Sequence, residues 1–131
     1  MPAVRIEIRR QISQQEEVAI MDAVHAALRE AFKVPANDRN VRLVAHLPHR
    51  CAPRPDLAHP ELYTLISIDA FAGRSLDAKR ALYAGIVSNL DSLGIPKDHV
   101  VILLRESPAE NWGVRGGQAA CDVDLGFKID V

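Results

Sequence analysis

Pro2 follows Met1 and opens an alternating strand, Val4-Arg5-Ile6-Glu7-Ile8. If Met1 is removed, Pro2 presents a secondary amine whose ring fixes its lone pair on the main chain. An α-amino group has an ordinary pKa of about 7.7–8.0, near enough to neutrality to serve as a general base. Burial and a nearby arginine both disfavour its cation and lower that value. The other reactive residue types carry less. His46, His49 and Cys51 lie close together, with His59 further on. No second cysteine pair completes a structural zinc set, so they read as surface histidines and a loop cysteine, with no metal site. Gly113-Val114-Arg115-Gly116-Gly117 is glycine-rich, but no dinucleotide or P-loop glycine pattern is present, and the segment reads as a turn. Cys51 lacks any signature of a nucleophile.

These residues need elements to place them. Val4, Ile6 and Ile8 alternate with charged residues, a strand period. Ser13-Gln14-Gln15-Glu16 fits a capping box, in which the Ser oxygen and the Glu carboxylate each satisfy an orphaned N–H at a helix start. Val18, Met21, Val24, Leu28 and Phe32 follow at helical spacing, and Pro35 predicts the stop. Val41 to Leu47 reads as a second strand. Four prolines between Pro48 and Pro60 predict an irregular connector. The order then repeats: a strand from Leu65, Ile66 and Ile68, a helix capped by Ser75 and carrying Leu82, Ile86 and Leu90, a left-handed C-cap at Gly94, and the apolar run Val100 to Leu104. The halves superpose at an offset of 61, which sets Val34-Pro35 on Ile95-Pro96.

This pattern predicts an α/β (α+β) fold: duplicated β-α-β units forming a four-stranded mixed sheet with two helices on one face. The expected organisation is a single domain over 1–131, with pseudo-repeats about 2–47 and 64–105, a connector 48–62 and a C-terminal tail 106–131. Strands within each unit run parallel, because a helical crossover returns the chain to the same end. Two helices cover only one sheet face, so the other face predicts association with further copies of the chain.

Composition excludes several classes. Sixteen Lys+Arg against seventeen Asp+Glu leave a net charge of -1, which argues against non-specific nucleic-acid binding. The longest apolar run is five residues, where a membrane-spanning helix needs about 20. No signal-peptide pattern opens the chain, and two cysteines make no disulfide scaffold, so a reduced, cytoplasmic setting is expected.

Taken together, Pro2, the doubled β-α-β plan, Val34-Pro35-Ala36-Asn37-Asp38-Arg39, Ala72-Gly73-Arg74-Ser75 with Lys79-Arg80-Ala81-Leu82-Tyr83, and the tail Glu110-Asn111-Trp112-Gly113-Val114-Arg115-Gly116-Gly117 resemble the tautomerase superfamily. The branch most similar is that of malonate semialdehyde decarboxylase and its homologues. The resemblance implies a homotrimer, no cofactor and an active site around the N-terminal proline. It implies tautomerisation, decarboxylation or hydrolytic dehalogenation of small carboxylates. It assigns Pro2 as the proton-transfer group, Asp38 as an orienting carboxylate, Trp112 to the substrate pocket, and Arg74 to the carboxylate or enolate oxygen. One departure matters: Ala72 stands where the decarboxylase pattern carries the first of two arginines. Arg39 and Arg115 are the candidate replacements.

The expected function is keto–enol tautomerisation of a small 2-oxo or enol carboxylate with Pro2 as general base. The alternatives are a decarboxylase or hydrolytic dehalogenase with a protonated proline, or an inactive trimeric binding module.

Overall fold

In the computed structural model the described residues are 2–131; Met1, on whose removal the expected amine at Pro2 depends, lies outside them. The chain runs β1 (Ala3–Ile8), α1 (Gln14–Phe32), β2 (Val41–Ala45), β3 (Thr64–Phe71), α2 (Leu76–Asp91) and β4 (Val100–Ser107). A short hairpin of β5 (Gly113–Val114) and β6 (Gln118–Ala119) follows.

The main sheet has the order β2-β1-β3-β4. Each β-α-β unit pairs its own strands in parallel, with Val4 opposite Val41 and Thr64 opposite Val100. The units join through an antiparallel β1–β3 contact, with Ala3 opposite Asp69. This is the expected mixed sheet. Alternation decides its faces. Val4, Ile6, Ile8, Ile66, Ile68 and Ala70 are buried against Ile20, Val24, Leu28 and Phe32 of α1 and Leu82, Ile86 and Leu90 of α2. The opposite face keeps Val44, Val101 and Leu103 exposed. At its β3 end a second, smaller core of Phe71, Val114 and Ala120 packs under the tail.

Local sequence explains the boundaries. Ser13 and Glu16 form the full capping box at the start of α1. The helix ends at Phe32, ahead of Pro35 as expected, and its C-cap Lys33 turns left-handed with φ of 57°. Gly94, at φ of 89°, lets α2 close, with the Ile95 N–H returning to the Leu90 carbonyl at 3.1 Å. The strand expected over Val41 to Leu47 stops at Ala45, because Pro48 opens a tight 3-10 turn, Pro48–Arg50. A second turn, Pro60–Leu62, closes the connector. That connector is pinned by His99, which is 1% exposed and whose Nε2 accepts the His59 N–H at 3.0 Å. His46, offered by the sequence as one of a histidine group, instead faces Glu7, with Nε2 at 2.9 Å from Oε1. No helix among the described residues is long and apolar enough to cross a membrane.

Candidate active site

One end of the sheet gathers the chemistry. Because β1 and β2 are parallel and β3 runs against β1, the starts of β1 and β2 lie beside the ends of β3 and β4. Pro2, the α1–β2 loop, the β3–α2 turn and the tail therefore converge. Pro2 is buried, one residue ahead of the Ala3–Asp69 pair. The Val4 N–H donates to the Asn40 carbonyl at 2.9 Å and ties the start of β1 to the loop that carries Asp38. Asp38 is half-buried, in a turn closed by its own N–H on the Pro35 carbonyl at 3.1 Å.

Arg74 sits in the turn between β3 and α2. Gly73 makes that turn at φ of 137°, where a Cβ would meet Ile129 Cγ2 at 2.9 Å. The Ser75 side chain then accepts the Ala78 N–H and caps α2. The Arg74 side chain folds inward and is only 5% exposed. Its Nη1 donates to the Phe71 carbonyl at 3.2 Å, and its guanidinium carbon lies 4.7 Å from the centre of the Phe32 ring, a cation–π contact. Its Nε and Nη2 have no hydrogen-bond partner among the described residues. Burial pulls the guanidinium below its ordinary pKa, while the carboxylates of Glu106 and Asp38 push the other way.

A cavity of about 350 Å³ opens beside these groups, lined by Asn37, Asp38, Arg115, Leu125 and Phe127 among others. Arg115 stands at φ of 50° in the β5–β6 turn, with Nη1 donating to the Asp124 carbonyl at 2.8 Å. Trp112 is held by two contacts. Its Nε1 donates to Ser107 Oγ at 2.8 Å, and its ring meets Phe71 edge-on with centroids 4.9 Å apart. The next two residues, Gly113 and Val114, line the cavity.

The six expected site residues thus fall into three groups. Asp38 and Arg115 line one cavity, with Trp112 bracing its wall. Pro2 and Arg74 are buried at the same end of the sheet. Arg39 turns away: it is exposed and ion-paired with Asp22 of α1. Ala72 has only a methyl side chain, and its N–H donates to the Ser107 carbonyl at 2.9 Å. The sequence reading placed Phe32 in the core stripe and missed its position beneath Arg74. It also gave no site role to Leu125 and Phe127, although the alternation of Val123, Leu125, Phe127 and Ile129 was the available signal.

Known proteins resemble the chain in sequence and in fold. The chain is 36% identical over 53 residues to a probable tautomerase of Ralstonia nicotianae, covering 40% of this chain and 76% of that one. Among solved structures it is similar to FG41 malonate semialdehyde decarboxylase inhibited by 3-bromopropiolate, at 29% identity and a TM-score of 0.79, covering 89% of this chain and 92% of that one. A second malonate semialdehyde decarboxylase, described with decarboxylase and hydratase activities, superposes at 23% identity and a TM-score of 0.82, covering 93% and 99%. Native fused 4-OT shares the fold at 20% identity and a TM-score of 0.82, covering 95% and 99%. The family model for tautomerase enzymes matches residues 38–115, more than half of the sequence and the stretch from Asp38 through Arg74 to Arg115, and the chain belongs to that family.

Proposed function

We propose that the protein tautomerises a small 2-oxo or enol carboxylate, with Pro2 as the general base. The observation that carries this reading is the buried Arg74 guanidinium, whose Nε and Nη2 donors are unpartnered among the described residues. A buried charge left without hydrogen bonds is destabilising, and an anion bound there would remove that penalty. Nε and Nη2 form the side edge of the guanidinium, which matches the two oxygens of a carboxylate.

In the proposed reaction the Pro2 amine takes the enol O–H proton and returns a proton to the adjacent carbon. Negative charge builds on the enolate oxygen in between. Arg74 holds the carboxylate and stabilises that charge in a water-poor setting. Asp38 orients the substrate or a water, Arg115 faces the substrate across the cavity, and Trp112 limits solvent entry. No cofactor is needed. Three chains would close their uncovered sheet faces around one axis. Solved relatives include trimers of fused 4-OT, which supports that number.

The test is to compare Met1-free protein with protein that retains Met1. With Met1 attached, the Pro2 nitrogen is a tertiary amide without a usable lone pair. Processed protein is expected to convert phenylenolpyruvate to its keto form, and Met1-retaining protein to lose nearly all of that rate. Full activity with Met1 retained overturns Pro2 as the base.

A second reading is favoured by the 29% identity to FG41 malonate semialdehyde decarboxylase: decarboxylation or hydration, with Pro2 protonated and acting as an acid. Ala72 speaks against it, since that chemistry resembles one using paired arginines. The pH profile separates the two, because a base loses rate as pH falls through its pKa and an acid loses rate as pH rises. No turnover in a screen of enol, haloacrylate and semialdehyde substrates would leave an inactive binding module.

A further inference from the structure

Glu106 is a carboxylate whose charge acts on Arg74 without a hydrogen bond between the two. Glu106 stands opposite Ala70 in the β3–β4 register, next to Phe71, whose carbonyl accepts from Arg74. Among the charges that act on Arg74, Glu106 exerts the stronger pull, ahead of Asp38. Yet Glu106 Oε1 accepts from Lys79 Nζ, and Arg74 keeps its side edge open. Lys79 is fixed in the first turn of α2, where its N–H meets the Ser75 carbonyl at 3.1 Å. The side chains of the pair are 22% and 27% exposed, so solvent screens their attraction less than that of a surface pair.

We infer that Lys79 is a positioning residue: it holds Glu106 off Arg74, so that the side edge of the guanidinium stays free for the carboxylate of the substrate. This rests on the reading of Arg74 as the anion-binding group. Without Lys79, Glu106 has one strong partner left, and a bidentate Glu106–Arg74 pair would occupy the donors the substrate needs. Coulomb's law acts in the same direction. Removing Lys79 takes one positive charge away from the surroundings that an incoming carboxylate meets. Lys79 would thus govern substrate affinity while touching no substrate atom.

The prediction differs in sign from that of an ordinary structural ion pair. Benzoate, an inert monocarboxylate, is titrated by NMR into the intact protein, and KM for phenylenolpyruvate is read alongside. Lys79→Met is expected to raise the benzoate Kd by about tenfold, on the scale of one charged hydrogen-bond competition. Glu106→Gln is expected to lower it by about threefold, since it removes the competing carboxylate. The double variant should return to within about threefold of the unmodified protein, a strong coupling between the two sites. Lys79→Arg, which keeps the charge and can still reach Glu106, should preserve binding. A merely structural pair predicts that both single variants weaken binding and that the double variant does not recover; that result overturns the inference. Arg74→Ala separates the two levels. If it leaves benzoate binding unchanged, the reading of the site fails and the inference with it. If it weakens benzoate binding while Lys79→Met does not, the inference alone fails.

Discussion

Arg74 gives one donor to a main-chain carbonyl, rests on an aromatic ring and leaves two buried donors without a partner among the described residues. Charged hydrogen bonds contribute about 1.5–3 kcal/mol, so Arg74→Ala is expected to lower kcat/KM for a carboxylate substrate by at least about tenfold. Arg74→Lys should recover little, because an ammonium cannot present the Nε–Nη2 edge. Steady-state kinetics on phenylenolpyruvate checks both, and unchanged rates would move attention to Arg115. At this scale the sequence was informative where one short motif fixes a residue's place in the fold. The places of Pro2 at a strand start, Arg74 before a helix cap and Asp38 in a proline turn could be read from the sequence. That of Arg39 could not: nothing in the sequence says that it faces Asp22, 17 residues earlier on the exposed side of α1. The Lys79–Glu106 pair, 27 residues apart, was hidden for the same reason, since it joins α2 to β4 across the fold.

The elements show where local chemistry decides the fold. The box at Ser13 and Glu16 could be read directly, because the side chains that satisfy the first turn are adjacent in sequence. The cap of α1 could not, since a left-handed lysine leaves no signal of its own. A non-glycine residue in that conformation costs about 1–2 kcal/mol. Lys33→Gly is therefore expected to stabilise the protein by up to about 1 kcal/mol, and urea unfolding checks it. The tail alternates apolar and polar residues in sequence but forms no strand from them. Val123, Leu125, Phe127 and Ile129 point inward to the Phe71 core without joining a strand. Across β3 and β4, Arg105 donates Nε and Nη2 to the two Asp69 oxygens at 2.8 and 3.0 Å. The hydrogen bonds from Arg105 hold the Asp69 carboxyl below its ordinary pKa. A depressed carboxylate adds stability above its unfolded value and loses it as pH falls through the folded one. Both side chains are over a third exposed, so that contribution is small. Arg105→Gln should move the Asp69 titration upward, as read by carboxyl carbon NMR.

The whole molecule is incomplete on one side. Val101 and Leu103 of β4 are 46% and 48% exposed on the face that the helices leave bare. A row of such residues on an otherwise folded sheet predicts burial by another copy. Light scattering at micromolar concentration should give about three times the 14.4 kDa chain mass. Leu103→Lys should shift the protein toward that single-chain mass by placing a charge in the contact, whereas a stable monomer before any substitution would refute the burial argument.

The antiparallel β1–β3 junction has a further consequence. At the repeat offset of 61, Pro2 falls on Tyr63, Arg74 on Ser13 and Asp38 on His99. The junction sends these counterparts to the opposite end of the sheet. There the connector fills the space, and the His59 N–H already occupies His99 Nε2. A doubled architecture whose two ends are related by the repeat therefore closes one of them with its own chain. A carboxylate titration should saturate at one ligand per polypeptide, however many chains assemble.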